Sequence, residues 1–121
     1  MARFAYVDDE ENMRNAVERT FIRYYRNEHT IDLYPDGPMF EQSLDAANHV
    51  YARVLLDVRM RGKSGIEVAK GMRSRGDETP VTFVTATPRD LIGVDISNMD
   101  ILEKPFTSQE IREIVDKTLR D

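Results

Sequence analysis

The chain reads as one α/β domain, a parallel sheet covered by helices on both faces, and three observations predict it. Short, nearly continuous apolar runs recur at Phe4-Ala5-Tyr6-Val7, Val54-Leu55-Leu56 and Val81-Thr82-Phe83-Val84, each ending at a polar residue. Such runs suit strands buried on both sides. Between them lie stretches in which apolar residues are spaced by threes and fours, the period of a helix. The length of 121 residues holds one domain, residues 1–121, and alternating strands and helices within it imply parallel pairing.

Taken in order, the first strand covers residues 4–7. Met13, Ala16, Val17, Phe21 and Tyr24 then line one face of a helix predicted over residues 10–26. Thr30-Ile31-Asp32-Leu33-Tyr34 alternates like a strand and stops at the turn-rich Pro35-Asp36-Gly37-Pro38. A helix over 39–48 follows, then the strand ending at Asp57. Residues 65–73 form the next helix, although Gly71 inside it costs about 1 kcal/mol relative to alanine. After the fourth strand, Thr87-Pro88 has the form of an N-cap and first helical residue. Gly93 follows closely and residues 95–98 read as loop, so this fourth helix is expected to be one or two turns long. Met99-Asp100-Ile101-Leu102 is the fifth strand. Ile111, Ile114, Val115 and Leu119 mark the last helix, and Thr107 with Glu110 has the spacing of a capping box that starts it just after Phe106. The sum is five strand-then-helix units.

Composition narrows the function. With 17 basic and 22 acidic residues the net charge is −5, the wrong sign for binding nucleic acid through phosphate neutralisation. Zero cysteines remove disulfide frameworks, thiol catalysis and cysteine zinc sites. The apolar stretch at the N-terminus is too short for a signal peptide or a membrane span. The expected location is therefore the cytoplasm, with neither a nucleic-acid nor a membrane partner.

In parallel α/β sheets ligands bind beyond the carboxyl ends of the strands. Here those ends carry Asp8-Asp9, Asp57, Thr85 and Glu103-Lys104-Pro105. Each has an ordinary explanation alone, but the fold makes them converge. Two carboxylates ~4 Å apart repel by roughly 4 kcal/mol at an effective dielectric near 20. Raised pKa values or a hard cation relieve that repulsion, and an all-oxygen acidic site suits Mg²⁺. Calcium is disfavoured because no D-x-[DN]-x-[DN]-G loop is present. An acidic magnesium cleft beside one lysine and one hydroxyl points to phosphoryl chemistry, with Asp57 on the middle strand as acceptor and Asp8 and Asp9 holding the metal.

These residues match a family. Val7-Asp8-Asp9-Glu10, Leu55-Leu56-Asp57 with Met60 and Gly65 beyond it, Val84-Thr85-Ala86 and Lys104-Pro105-Phe106 run in the order seen in response-regulator receiver domains of bacterial two-component signalling, which the whole chain resembles. The resemblance implies a flavodoxin-like (βα)5 three-layer sandwich with strand order 2-1-3-4-5. It implies Asp57 as phospho-acceptor, Thr85 as switch hydroxyl and Lys104 as the cation that reads the phosphoryl oxygens. Asp9, Asp57, the Arg59 main-chain carbonyl and, through water, Asp8 would hold Mg²⁺. Ala86 would leave the phosphoryl group room, Arg59 and Thr87 would tune its lifetime, and Lys104-Pro105 would be cis. A histidine kinase or phosphotransfer protein would be the donor, and an output domain, an effector protein or a second copy the partner. The domain would catalyse only its own phosphorylation and dephosphorylation.

The chain departs from the family at Arg61, at Ile101, in a stretch from Thr85 to Lys104 that is shorter than usual and in a region before Asp57 that is a little long, with the extra residues expected in 35–40. Arg61 stands where proline is usual, which should loosen the loop after the acceptor. Ile101 replaces the usual aromatic residue, so coupling between Thr85 and a ring is not expected; with the short fourth helix, the expectation is that output uses another face or that the domain responds to phosphorylation in a non-standard way. Two further functions compete: a receiver-fold interaction module indifferent to phosphorylation and, more distantly, a small phosphatase with an aspartate nucleophile. Gly62-Lys63-Ser64 lacks the preceding glycine of a P-loop. His29 and His49 are expected at the surface, and of Tyr24 and Tyr25 one is expected to pack inward.

Overall fold

A computed structural model of the protein describes residues 1–46 and 50–120. In chain order its elements are β1 (Ala2–Val7), α1 (Glu11–Tyr25), β2 (His29–Tyr34), α2 (Gly37–Ala46), β3 (Arg53–Asp57), α3 (Gly65–Ser74), β4 (Val81–Thr85), a 3-10 turn (Pro88–Leu91), β5 (Met99–Glu103) and α4 (Ser108–Arg120). The strands form one parallel sheet in the order β2-β1-β3-β4-β5, the predicted flavodoxin-like order.

Successive side chains of a strand point to opposite faces, and this sorts the apolar runs into two cores. Ala5, Val7, Val54, Leu56, Val81 and Phe83 face Phe40 of α2 and Val68 and Met72 of α3. Phe4, Tyr6, Leu55, Val84 and Leu102 face Val17 and Phe21 of α1 and Ile111 and Val115 of α4. Every residue of β3 and β4 is buried, so these two central strands carry no polar-apolar alternation. Two of those buried residues are ionisable, Asp57 at the end of β3 and Arg53 at its start. Arg53 is satisfied by Asp100 at 3.0 Å, Thr82 at 3.2 Å and Thr118 at 2.7 Å.

The start of α4 follows its sequence signal. The Glu110 N–H donates to Thr107 Oγ1 at 3.2 Å, and the Thr107 N–H donates to Glu110 Oε1 at 3.0 Å. Ser64 and Glu67 build the same reciprocal box at the start of α3. Gly65, just inside it, allows a close approach: an added Cβ would overlap the Asp57 carbonyl oxygen and stand 2.9 Å from its carbon. At Gly71 an added Cβ would meet Glu41 at an ordinary 3.5 Å. We therefore expect Gly65→Ala to destabilise the domain by about 1–3 kcal/mol and Gly71→Ala to stabilise it by up to about 1 kcal/mol. Urea unfolding midpoints at unchanged slope measure both, and equal effects would refute the close-approach account.

Some expectations are corrected. No fourth α-helix forms between β4 and β5; one 3-10 turn of four residues stands there, and Thr87 makes no side-chain cap. The described chain thus has four α-helices, not five strand–helix pairs. Leu91 alone in that turn is buried and Ile92 is 82% exposed, and the chain has left helical geometry by Gly93, whose φ is +83°. α2 begins at Gly37, two residues before the predicted start; residues 47 and 48 of that prediction and His49 lie outside the described residues. His29 is half-buried rather than at the surface, its ring 5.6 Å from Tyr25 and 6.5 Å from Phe4, with Nδ1 accepting from the Ala2 N–H. Tyr25 is the inward member of its pair, and the half-buried Tyr24 lies 4.1 Å from the Arg112 guanidinium.

Candidate functional site

The parallel register brings the strand ends together. Val7 pairs with Leu56, Asp57 with Val84, and Thr85 with Glu103. The residues next along the chain, Asp8, Asp9 and Lys104, therefore share one edge with Asp57 and Thr85. Ligand atoms of Asp8, Asp9 and Asp57 all lie within 4.8 Å of one another. Lys104 Nζ stands 3.0 Å from Asp8 Oδ2, 3.2 Å from Asp57 Oδ1 and 3.7 Å from Glu10 Oε1.

Asp8 and Asp57 are buried and Asp9 half-buried. Burial, and next the charge of Asp8, push the Asp57 carboxyl up to about 7, against the opposing pull of Lys104. Two close buried carboxylates cannot both ionise freely without a compensating cation. Burial works against the charge on Lys104, but Asp8 and then Asp57 outweigh it and hold the ammonium above its ordinary value. Three hard oxygen donors this close together fit a magnesium ion, which takes few protein ligands and keeps several waters.

Around the acids the side chains are already engaged. Asp8 Oδ1 accepts from the Glu10 N–H at 2.9 Å, and Asp8 Oδ2 accepts from the Tyr6 hydroxyl at 2.6 Å. Burial, and next the charge of Asp8, hold that phenol far above its ordinary value, so it stays protonated and donates. Asp9 Oδ2 accepts from the Arg61 N–H at 3.1 Å, with the Arg61 Nε at 3.5 Å. A proline at position 61 would lack that N–H. The loop expected to be loose is instead fastened to an acid of the cluster.

Thr85 is buried, and its Oγ1 accepts from the Thr87 N–H at 2.9 Å, while its carbonyl takes the Lys104 N–H at 2.9 Å. Ala86 is exposed beside it and Thr87 half-buried. Arg59 follows Asp57 by two residues, and its 70%-exposed side chain forms a two-pronged pair with Asp90 of the 3-10 turn at 2.6 and 2.9 Å. Ile101 is 42% exposed on β5, away from the acids in sequence register, and Lys104–Pro105 is cis.

Asp8, Asp9, Asp57, Thr85 and Lys104 are thus brought to one edge as their sequence positions imply. Tyr6, Arg61 and Asp90 were missed as neighbours of the site. Tyr6 had a usable signal, since residues two apart on a strand share a face. Arg61 and Asp90 had none, since their contacts with Asp9 and Arg59 are made only by the fold.

A family model described as the response regulator receiver domain matches residues 4–116. The chain belongs to that family. Among curated relatives, this receiver domain is 34% identical over 115 residues to the response regulator MprA of Mycobacterium sp. (strain KMS), covering 90% of this chain and 46% of the relative. It is 31% identical over 113 residues to the transcriptional regulatory protein DltR of Streptococcus agalactiae serotype III (strain NEM316), covering 90% and 48%. The chain thus spans about half the length of these relatives. Among solved structures, the response regulator TrrA of Thermotoga maritima, in complex with Mg²⁺ and a beryllium fluoride, superimposes with a TM-score of 0.79 at 27% identity, covering 98% of this chain and 99% of TrrA.

Proposed function

We propose that this receiver domain is a phosphorylation switch in which Asp57 accepts a phosphoryl group from a histidine kinase or phosphotransfer protein. The observation that carries the reading is the single ammonium, Lys104, lying 3.2 Å from the Asp57 carboxylate within the acidic cluster. An Asp57 oxygen attacks phosphorus, the O–P bond forms as the P–N bond of a phosphohistidine breaks, and the departing imidazole keeps the electron pair. Lys104 then neutralises charge on the transferred oxygens, and the Thr85 hydroxyl donates to one of them. Magnesium held by Asp9, Asp57 and the Arg59 carbonyl, with Asp8 acting through water, would supply further charge neutralisation. Ala86 leaves space above the acceptor, and Arg59 and Thr87 at the rim set how readily water reaches the acyl phosphate.

Charge-assisted hydrogen bonds are worth roughly 1.5–3 kcal/mol each, so two or three new ones suffice for the roughly 5.5 kcal/mol that turns a 1:99 equilibrium into 99:1. With Ile101 in place of an aromatic ring and a 3-10 turn in place of a helix, the Arg59–Asp90 pair links the acceptor loop to the segment after β4. The domain acts only on its own acceptor, in the cytoplasm, and hands the signal to an output domain, an effector or a second copy. Among the described residues no helix is long and apolar enough to cross a membrane.

Incubation with Mg²⁺ and acetyl phosphate followed by intact-mass measurement tests the reading. Wild type is expected to gain one phosphate, and Asp57→Asn or magnesium removal by chelator to abolish the gain. If wild type gains none, the switch is refuted. The competing reading, a receiver-fold interaction module indifferent to phosphate, draws on the same Ile101 and the same shortened segment, and predicts that result.

A further inference from the structure

We propose that Tyr6 is a positioning residue for phosphoryl acceptance, its hydroxyl holding the Asp8 carboxylate so that Lys104 can leave Asp8 for the incoming phosphoryl oxygens. The inference rests on the function proposed above. Tyr6 is fully buried in β1, where a phenylalanine would serve packing equally well, yet its hydroxyl lies 2.6 Å from Asp8 Oδ2. That same oxygen receives the Lys104 ammonium at 3.0 Å, and the other oxygen receives the Glu10 N–H.

Lys104 is shared by Asp8, Asp57 and Glu10. A phosphoryl group on Asp57 adds strong acceptors and negative charge, and the ammonium that moves to them withdraws from Asp8 Oδ2. Asp8 is fully buried, so bulk water does not replace the lost donor. The Tyr6 hydroxyl does not have to move, because β1 and an edge-on contact with Phe106, 6.4 Å between ring centres, hold the ring. With Tyr6 in place, Asp8 keeps a donor on each oxygen after Lys104 has left. Without it, Asp8 Oδ2 loses its last protein donor in the phosphorylated state alone, and only such a difference between states shifts an equilibrium.

Wild type, Tyr6→Phe and Tyr6→Leu would be titrated with beryllofluoride, a phosphoryl mimic, at saturating Mg²⁺, following backbone amide NMR signals. Magnesium affinity is measured separately by calorimetry. Both variants are expected to bind beryllofluoride about tenfold more weakly, the low end for a lost charge-assisted hydrogen bond, with magnesium affinity changed by less than about threefold. Wild-type beryllofluoride affinity in Tyr6→Phe would overturn the inference, and so would a loss confined to Tyr6→Leu, which marks packing alone. A parallel loss of magnesium affinity in both variants would also overturn it, since the defect would then precede phosphoryl binding. Wild type that takes up neither beryllofluoride nor phosphate would overturn the proposed function itself.

Discussion

Replacing Lys104 by methionine is expected to destabilise the metal-free domain by about 3–5 kcal/mol at pH 8, the range for removing one partner of a buried ion pair. The ammonium is 3.0 Å from Asp8 and 3.2 Å from Asp57, both buried, so its loss leaves two carboxylates facing each other in a site of low exposure. The loss should shrink markedly at pH 5. Asp57 already holds its proton up to about pH 7 with Lys104 present, and removing a charge that lowers that value raises it further. At pH 5 the variant therefore carries a neutral Asp57 and far less repulsion. Urea unfolding at both pH values, with magnesium chelated, measures the difference. A destabilisation equal at pH 5 and pH 8 would show that methionine disturbs packing rather than charge.

The second large effect comes from Asp57 itself. Its folded value of about 7 lies above the unfolded value of 3.8, so between those pH values the folded chain binds a proton that the unfolded chain has released. Stability from this group is complete below about pH 4 and is lost as pH rises towards 7. At about 1.36 kcal/mol per unit of difference, the loss is on the order of 4 kcal/mol. Asp57→Asn removes the titration. In the metal-free form the variant is expected to be more stable than wild type at pH 8 by a few kcal/mol, with a flatter profile from pH 4 to 8. Magnesium should stabilise wild type more at pH 8 than at pH 5, because the ion binds the ionised carboxylates. A wild-type profile as flat as that of the variant would contradict the account. Asp57 thus works against the stability of the metal-free domain at neutral pH and above.

Much of the fold was legible because its signals are local. The apolar runs of β3 and β4 have no polar alternation since both faces are covered, and Thr107 with Glu110 marked the start of α4 to within a residue. The segment after β4 was harder to read. Thr87-Pro88 has the letters of a helix start, yet a start needs an apolar face behind it, and Leu91 is the sole residue of that turn to find the core. His29 was misplaced because a histidine's surroundings, here Phe4 and Tyr25, come from two other elements.

At the site, the residue types and their places at strand ends were written in the chain, since a parallel sheet carries every such end to one edge. The chain's own order thus determined a five-stranded parallel sheet, its acidic rim and the lysine opposite. Tertiary structure alone decided which oxygen meets which distant donor: Lys104 on Asp8, Arg61 on Asp9, Arg59 on Asp90 across 31 positions. Period and capping act between neighbours in sequence and can be read from it. Hydrogen bonds and the pull of buried charges depend on distances of a few ångströms between distant segments, which exist only once the sheet has formed.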